Sequence, residues 1–348
     1  MKIIKLGSAV LAGLLALTAC GSNDGDSAAA AGSTVRVNGF SILEQANKAV
    51  FEEFGKTDAG KGVQFQTSYG ASGDQSRGVE SGNKADLVHY SLETDVTRLV
   101  KAGLVDEGWK SATPTNGVLT SSVVVFVVRK GNPKGIRTWD DLVKPGVQVI
   151  TPNPGSSGSA RWNILGAWAH VTGNGGSEEQ AKDFVTKLFQ NTIALPGSGR
   201  EATTAFTDGS GDVLLSYENE AILAKQSGAD VDYDVPDDTL KIENTGAVTK
   251  DASQAAKDFL AFQTSKDGQA AYAKAGFRPV VDGVDVGEVE GANDPSDPFP
   301  APGKLFTIDQ DFGGWSVAAD KYFGDGTEGK PLGLITAIQQ ATGKGVEK

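Results

Sequence analysis

The chain has 348 residues, enough for about two ordinary domains on a prior of ~100–200 residues each. Hydrophobic residues at 39% and charged residues at 22% lie near soluble globular norms, which excludes a fibre or a membrane bundle, while 45 glycines imply many turns and close backbone approaches. A formal charge of -12 argues against nonspecific nucleic-acid binding, which needs surplus Lys and Arg, so any anion has to be held by local donors and dipoles.

The N-terminus carries a positive stretch (MKIIK), an apolar run over 6–16 that is too short to span a bilayer, and the small-residue segment LTAC at 17–20. This is a secretory pattern. Cys20 is the sole cysteine, so no intramolecular disulfide forms. LTAC resembles the bacterial lipobox, whose cysteine is acylated and becomes the first residue after cleavage. The expectation is a lipoprotein signal peptide over 1–19, a lipidated Cys20 and a Gly/Ser/Ala tether over 20–33. The chain would then be anchored by lipid to the outer face of the cytoplasmic membrane.

Beyond the tether, 34–38 (TVRVN) alternates like a strand and 42–54 has helical spacing. A strand over 62–68, the loop YGASG, a helix over 74–80, a strand over 85–90 and a helix over 93–102 follow. Strand, loop and helix in repetition predict α/β layering with parallel pairing. The continuous apolar run 121–129 (SSVVVFVVR) predicts a strand buried on both faces. Next come a short helix in TWDDLVKPG, the strand VQVIT, the loop TPNPGSSGSAR with its helix, an amphipathic helix over 177–190, and the segment 193–195 leading into PGSGR. A helix over 201–207 and a strand over 212–217 (DVLLSY) precede helices over 251–263 and 267–274. The acidic, Pro/Gly-rich stretch 281–303 reads as a surface excursion, and the C-terminus, with a helix over 332–342, packs back on the body. So many elements covered on both faces fit two α/β lobes better than one sheet.

Three loops share one design, in which a strand ends, a small Gly/Ser turn follows and a helix begins: YGASGDQ at Ser72, NPGSSGSAR at Ser157 and PGSGRE at Gly199. Helix N-termini leave N–H groups unpaired beside a partial positive charge, and glycine lets that backbone approach a ligand. Any one such loop is ordinary N-capping; three at strand ends suggest an anion site. Other chemistries lack their residues. No Gly-Lys-Ser/Thr closes a loop, no GxGxxG follows the first strand, and His89 and His170 have no ligand spacing around them, so no metal site, cofactor or catalytic dyad is expected. A secreted hydrolase using Ser157 or Ser72 as nucleophile is a rival reading that lacks an apparent base.

TPNPGSSGSARWN, SSVVVFVVRKGNPK, WDDLVKPGVQVITPNP, GDVLLSYENEA and LFTIDQDFGGW together resemble the sulfate-binding proteins of bacterial ABC importers, over nearly all of 37–323. The resemblance implies a two-lobed periplasmic-binding-protein fold of the second type, with the ligand cleft between the lobes. It implies lobe 1 over 34–120 and 246–280, lobe 2 over 121–245, crossings in SSVVVFVV and IENTGAV, and a C-terminal segment over 281–348 wrapping back. The ligand would be sulfate or thiosulfate, passed to a membrane permease by a monomeric, non-enzymatic receptor. Position by position it implies the Ser157 hydroxyl, the backbone N–H groups of Gly158, Ser159 and Ser72, and Gly199 where the family has an alanine amide. Tyr217 stands where enterobacterial members carry a tryptophan donor, and Ser41 begins a loop that departs from their Asp-Pro-Thr. The acceptor side of Tyr217 is expected to be filled by Asn219 or a nearby amide. Arg161 and Arg200 are expected to brace their loops through backbone carbonyls or a carboxylate such as Glu218. A tyrosine hydroxyl also suits a molybdate- or tungstate-binding protein, the alternative ligand reading.

Overall fold

The computed structural model describes residues 32–327, 329 and 331–344. The expected signal peptide, Cys20 and the tether up to residue 31 lie outside the described residues. Ten strands form the framework: β1 Thr34–Phe40, β2 Gln64–Gly70, β3 Leu87–Tyr90, β4 Val118–Arg129, β5 Val149–Ile150, β6 Thr192–Ala194, β7 Val213–Tyr217, β8 Val231–Asp234, β9 Asp238–Val248 and β10 Lys304–Phe306. Their order is β2-β1-β3-β9-β4-β7-β5-β6, with β8 on β4 and β10 on β9.

The same pattern occurs twice. In one half β1 lies between β2 and β3, and in the other β5 lies between β6 and β7, all in parallel. An antiparallel strand completes each set, β9 beside β3 and β4 beside β7. The expected parallel pairing therefore holds within each half and fails where the chain crosses between them. β4 and β9 are those crossings: they pair over Val118–Val123, after which β4 continues against β7 and β9 against β3. β4 is buried at every position between its ends, which is why its sequence is an unbroken apolar run.

Each half is covered by helices whose apolar faces the sequence spacing announces. Leu43–Lys56, for instance, buries Leu43, Ala46, Val50 and Phe54. Helix Gly158–Gly173 is instead buried almost all round, including Trp162 and Trp168. These two rings meet Trp315 and Tyr322 of the C-terminal helix Trp315–Phe323 edge-on, at 4.7 and 5.1 Å. That C-terminal helix also packs against Glu93–Lys101 of the first half, so it straps the two halves together.

The stretch 281–303 has neither helix nor strand, yet it is not a pure surface excursion. Val289 and Ala292 are buried in the core under β4 and β7, and pin the loop there.

Candidate anion-binding site

Helices start where the chain leaves a strand through a small residue, and four of these starts converge. Leu43–Lys56 begins after Ser41 and Ile42; Ser72–Glu80, Gly158–Gly173 and Gly199–Thr207 begin at the residues that name them. Two of them start two residues earlier than their spacing suggests, which brings Ser72 and Gly199 onto the first helical position. Their tips enclose a cavity of about 10 Å³ between the two halves, close to the space one water-sized sphere needs. Ser41, Ser72, Ser157, Gly158, Ser159 and Gly199, six of the seven expected site residues, line it. Among the described residues no ionisable side chain does so.

The glycines are required by contact. A Cβ on Gly158 would stand 2.5 Å from Ser91 Oγ and 2.9 Å from Leu92 Cγ, and one on Gly199 would stand 2.8 Å from Ser159 Oγ. Both are first-turn positions, where the N–H has no intrahelical acceptor. Ser157 occupies the N-cap position, but its Oγ lies 2.9 Å from Ser159 Oγ and does not cap the helix. Ser198, one residue before Gly199, does cap, accepting from the Glu201 N–H at 3.2 Å. The hydroxyls at 157 and 159 thus remain with the cavity.

Contacts across the cleft hold the halves together over this cavity. Gly73 N–H donates to the Ser156 carbonyl at 3.3 Å, Arg200 N–H to Ser41 Oγ at 3.4 Å, and Trp162 Nε1–H to the Ser91 carbonyl at 2.9 Å. Ser72 donates its hydroxyl to Asp95 Oδ2 at 2.6 Å and accepts from the Ser91 N–H at 3.0 Å, which leaves its backbone N–H for the cavity. Burial raises the pKa of Asp95, against the opposing effects of the Ser72 hydrogen bond and of Arg161, Arg98 and Arg77.

The cations stand behind the loops. Arg161 Nε donates to the Pro154 carbonyl at 3.0 Å and its guanidinium lies over Phe323 at 4.9 Å. Arg200 pairs with buried Glu220 at 2.8 Å, not with Glu218, which Arg278 grips through two bonds of 2.6 and 2.9 Å. A larger cavity of about 350 Å³ opens outside the inner one, with Arg77, Arg98, Lys101 and Arg161 mixed with Glu80, Asp95, Asp320 and Asp325. Its balanced charges and wide mouth suit a solvated rim, whereas the inner cavity offers only donors at close range.

Tyr217 is placed differently from the other six. Fully buried, it stands one layer behind the wall, its hydroxyl 2.7 Å from Ser91 Oγ. Asn219 does not serve it; the Asn219 N–H donates instead to Ser122 Oγ at 3.4 Å. Ser91, which reaches the cavity in its place, escapes the sequence pattern because YSLE has no glycine to mark the turn. Both histidines are structural: burial lowers His89 to about 3, and His170 Nδ1 lies 2.7 Å from Asp238 Oδ2. Among the described residues no imidazole hydrogen-bonds Ser72 or Ser157, and no cluster of three or more metal-ligating side chains occurs. Ser72 has the buried Asp95 carboxylate beside it and Ser157 has Ser159, so neither hydroxyl has the imidazole partner of a serine hydrolase.

Two halves joined by shared strands, with a small cavity free of ionisable side chains between them, have the architecture of a solute-binding protein. Residues 35–278 match the family of bacterial extracellular solute-binding proteins. A sulfate-binding protein of Synechococcus elongatus is 41% identical, over 97% of this chain and 96% of its own length. A thiosulfate-binding protein of Pseudomonas aeruginosa is 37% identical, over 79% of this chain and 84% of its own. The solved structure of the sulfate-binding protein from Mycobacterium tuberculosis matches with a TM-score of 0.78 at 46% identity, covering 84% of this chain and 99% of that one. The chain belongs to the bacterial extracellular solute-binding proteins and, within them, to the sulfate-binding group of ABC import systems. Among the described residues no helix is long and apolar enough to cross a membrane.

Proposed function

We propose that this chain is a lipid-anchored receptor that captures sulfate, with thiosulfate as a second ligand, and delivers it to the permease of an ABC importer. One observation carries the ligand reading: a small cavity walled by backbone N–H groups and hydroxyls at four helix N-termini, with no ionisable side chain among its lining residues. A fully ionised tetrahedral dianion has acceptors and nothing to donate, so it matches such a wall. Hydrogen phosphate brings a proton, and burying that donor unpaired costs ~1–3 kcal/mol, or about ten- to hundredfold in affinity. Molybdate and tungstate carry the same proton-free tetrahedral oxygens on longer metal–oxygen bonds, and are the alternative ligands that titration separates from sulfate. The lobes are assigned as 34–120 with 246–280 and as 121–245, with 281–348 bracing both, and the receptor as a monomer anchored through Cys20.

The test is calorimetric titration of the soluble part with sulfate, thiosulfate, molybdate and phosphate near neutral pH. Sulfate is expected to bind tightest and phosphate at least about tenfold more weakly. A clear preference for molybdate would replace sulfate as the ligand; tightest binding of phosphate would overturn the donor-only reading altogether.

A further inference from the structure

Behind the cavity lies a row of polar side chains whose hydrogen-bond directions are fixed one by one. Asn244 Nδ2 lies 3.3 Å from the Ser91 carbonyl oxygen, which can only accept, so the amide's NH2 group must be on that side. Its Oδ1 then accepts from Thr120 Oγ1 at 3.1 Å. With that proton committed, Thr120 meets His89 Nε2 at 3.3 Å as an acceptor, so His89 carries its proton on Nε2. Tyr217 is fully buried and, among the described residues, its phenol has Ser91 Oγ as its hydrogen-bond partner, so its proton has no other acceptor. The phenol's own proton goes to Ser91 Oγ, 2.7 Å away. Ser91 is left with one hydroxyl proton, turned away from Tyr217 and toward the cavity it lines. The oxygen carrying it sits directly over the first turn of Gly158–Gly173, where a Cβ on Gly158 would come within 2.5 Å of it.

We propose that Ser91 is a specificity-determining ligand of the bound anion, its hydroxyl locked as a donor by the Tyr217 phenol and its carbonyl held by the row His89–Thr120–Asn244. The proposal rests on the oxyanion-receptor reading and adds the device by which it excludes protonated ligands. A free serine hydroxyl is ambivalent, able to donate to sulfate or to accept the proton of hydrogen phosphate. Locked from behind, it retains only the first option. Tyr217 is a positioning residue in this scheme and acts through Ser91, without touching the ligand.

The experiment titrates the parent, Ser91→Ala, Tyr217→Phe and the double variant with sulfate and with inorganic phosphate at about pH 8, by calorimetry or by competition. Ser91→Ala is expected to weaken sulfate about ten- to hundredfold, the loss of one hydrogen bond to a buried charge. Tyr217→Phe frees Ser91 to rotate, so it is expected to weaken sulfate by less than about tenfold and to narrow the sulfate-to-phosphate ratio through tighter phosphate binding. In the Ser91→Ala background the Phe substitution should leave that ratio unchanged, a non-additivity that a merely structural tyrosine would not produce. Melting temperatures check folding, and Ser91→Cys, slightly bulkier and a much weaker donor, replaces Ser91→Ala should the latter unfold. Parent-like sulfate affinity in the Ser91 variants, or an equal effect of Tyr217→Phe with and without Ser91, overturns the proposal. A parent chain that prefers another tetrahedral oxyanion overturns the sulfate reading alone, and the same four proteins then decide the role of Ser91 with that ion.

Discussion

Gly158 and Ser157 are adjacent, yet their substitution to alanine should fail in different ways. Ser157→Ala deletes one hydroxyl beside the cavity and is expected to cost ~1.5–3 kcal/mol of anion binding, as for a hydrogen bond to a charged group. Gly158→Ala adds a methyl group where Ser91 Oγ and Leu92 already stand, at 2.5 and 2.9 Å, so the two halves cannot meet over the ligand. Binding should fall by at least about tenfold, while helix propensity favours alanine by ~1 kcal/mol and keeps the fold stable. Calorimetry beside a thermal melt separates these outcomes; parent-like affinity for Gly158→Ala would mean that closure does not need this contact. One Gly/Ser turn before a helix is ordinary capping, and it is the recurrence of that turn at three strand ends that points to these residues. Ser91 was not legible: its turn is made without glycine, and only the third dimension brings it between Tyr217 and Gly158.

Among the elements, those with a clean period or an unbroken apolar run are legible, and a helix that buries charged residues is not. β4 betrayed itself by its apolar run, and Leu43–Lys56 by its stripe. Helix Glu218–Gln226 leaves no period in the sequence because Glu218, Asn219 and Glu220 are buried beside Ala221, Ile222 and Leu223, which erases any polar face. Arg278 and Arg200 supply the countercharges from distant segments. One junction between elements makes a pH prediction. His170, in the last turn of Gly158–Gly173, bonds Asp238 at the start of β9, with Asp140 of the short helix Trp139–Leu142 on its other side at 3.7 Å. Burial alone would lower the pKa of His170, but the hydrogen bond and charge of Asp238, helped by Asp140, raise it above 6.5. For Asp238 burial acts upward, and His170 with Asn174 brings the value below 3.8. A raised histidine gives stability that is complete below its unfolded pKa and lost as pH rises through its folded one; a depressed aspartate gives stability lost as pH falls through its folded value. The pair therefore contributes most between about pH 4 and 6.5. His170→Gln should lower the melting temperature more at about pH 5.5 than at about pH 8.5. Equal losses at both would show that the imidazole matters there only for packing against Trp139 and Phe184.

For the molecule as a whole, two lobes are readable because so many strand–loop–helix units must be covered on both faces, while the crossing strands are legible only through the family resemblance. The way the C-terminal helices strap the halves is not legible, since it depends on rings meeting at a distance in sequence. Charge poses the remaining question, how a chain of net charge -12 holds a dianion. The general field opposes approach, and at an exposed site it would make binding strongly salt-dependent. The inner cavity is instead enclosed and walled by neutral donors, while Arg161 and Arg200 are engaged with a carbonyl and a carboxylate behind it. Close-range hydrogen bonds within such an enclosure are little screened, because mobile ions cannot enter between donor and acceptor. The equilibrium affinity for sulfate should therefore change by less than about tenfold between low and physiological ionic strength. The association rate should rise with salt over the same range, since screening weakens the repulsion between like charges during approach. Stopped-flow association measured beside equilibrium titration tests both halves of this expectation. An affinity that falls more than tenfold as salt is added would mean that the outer arginines hold the anion directly. The site would then work by countercharge, and the neutral wall at Ser157 to Ser159 would be only its floor.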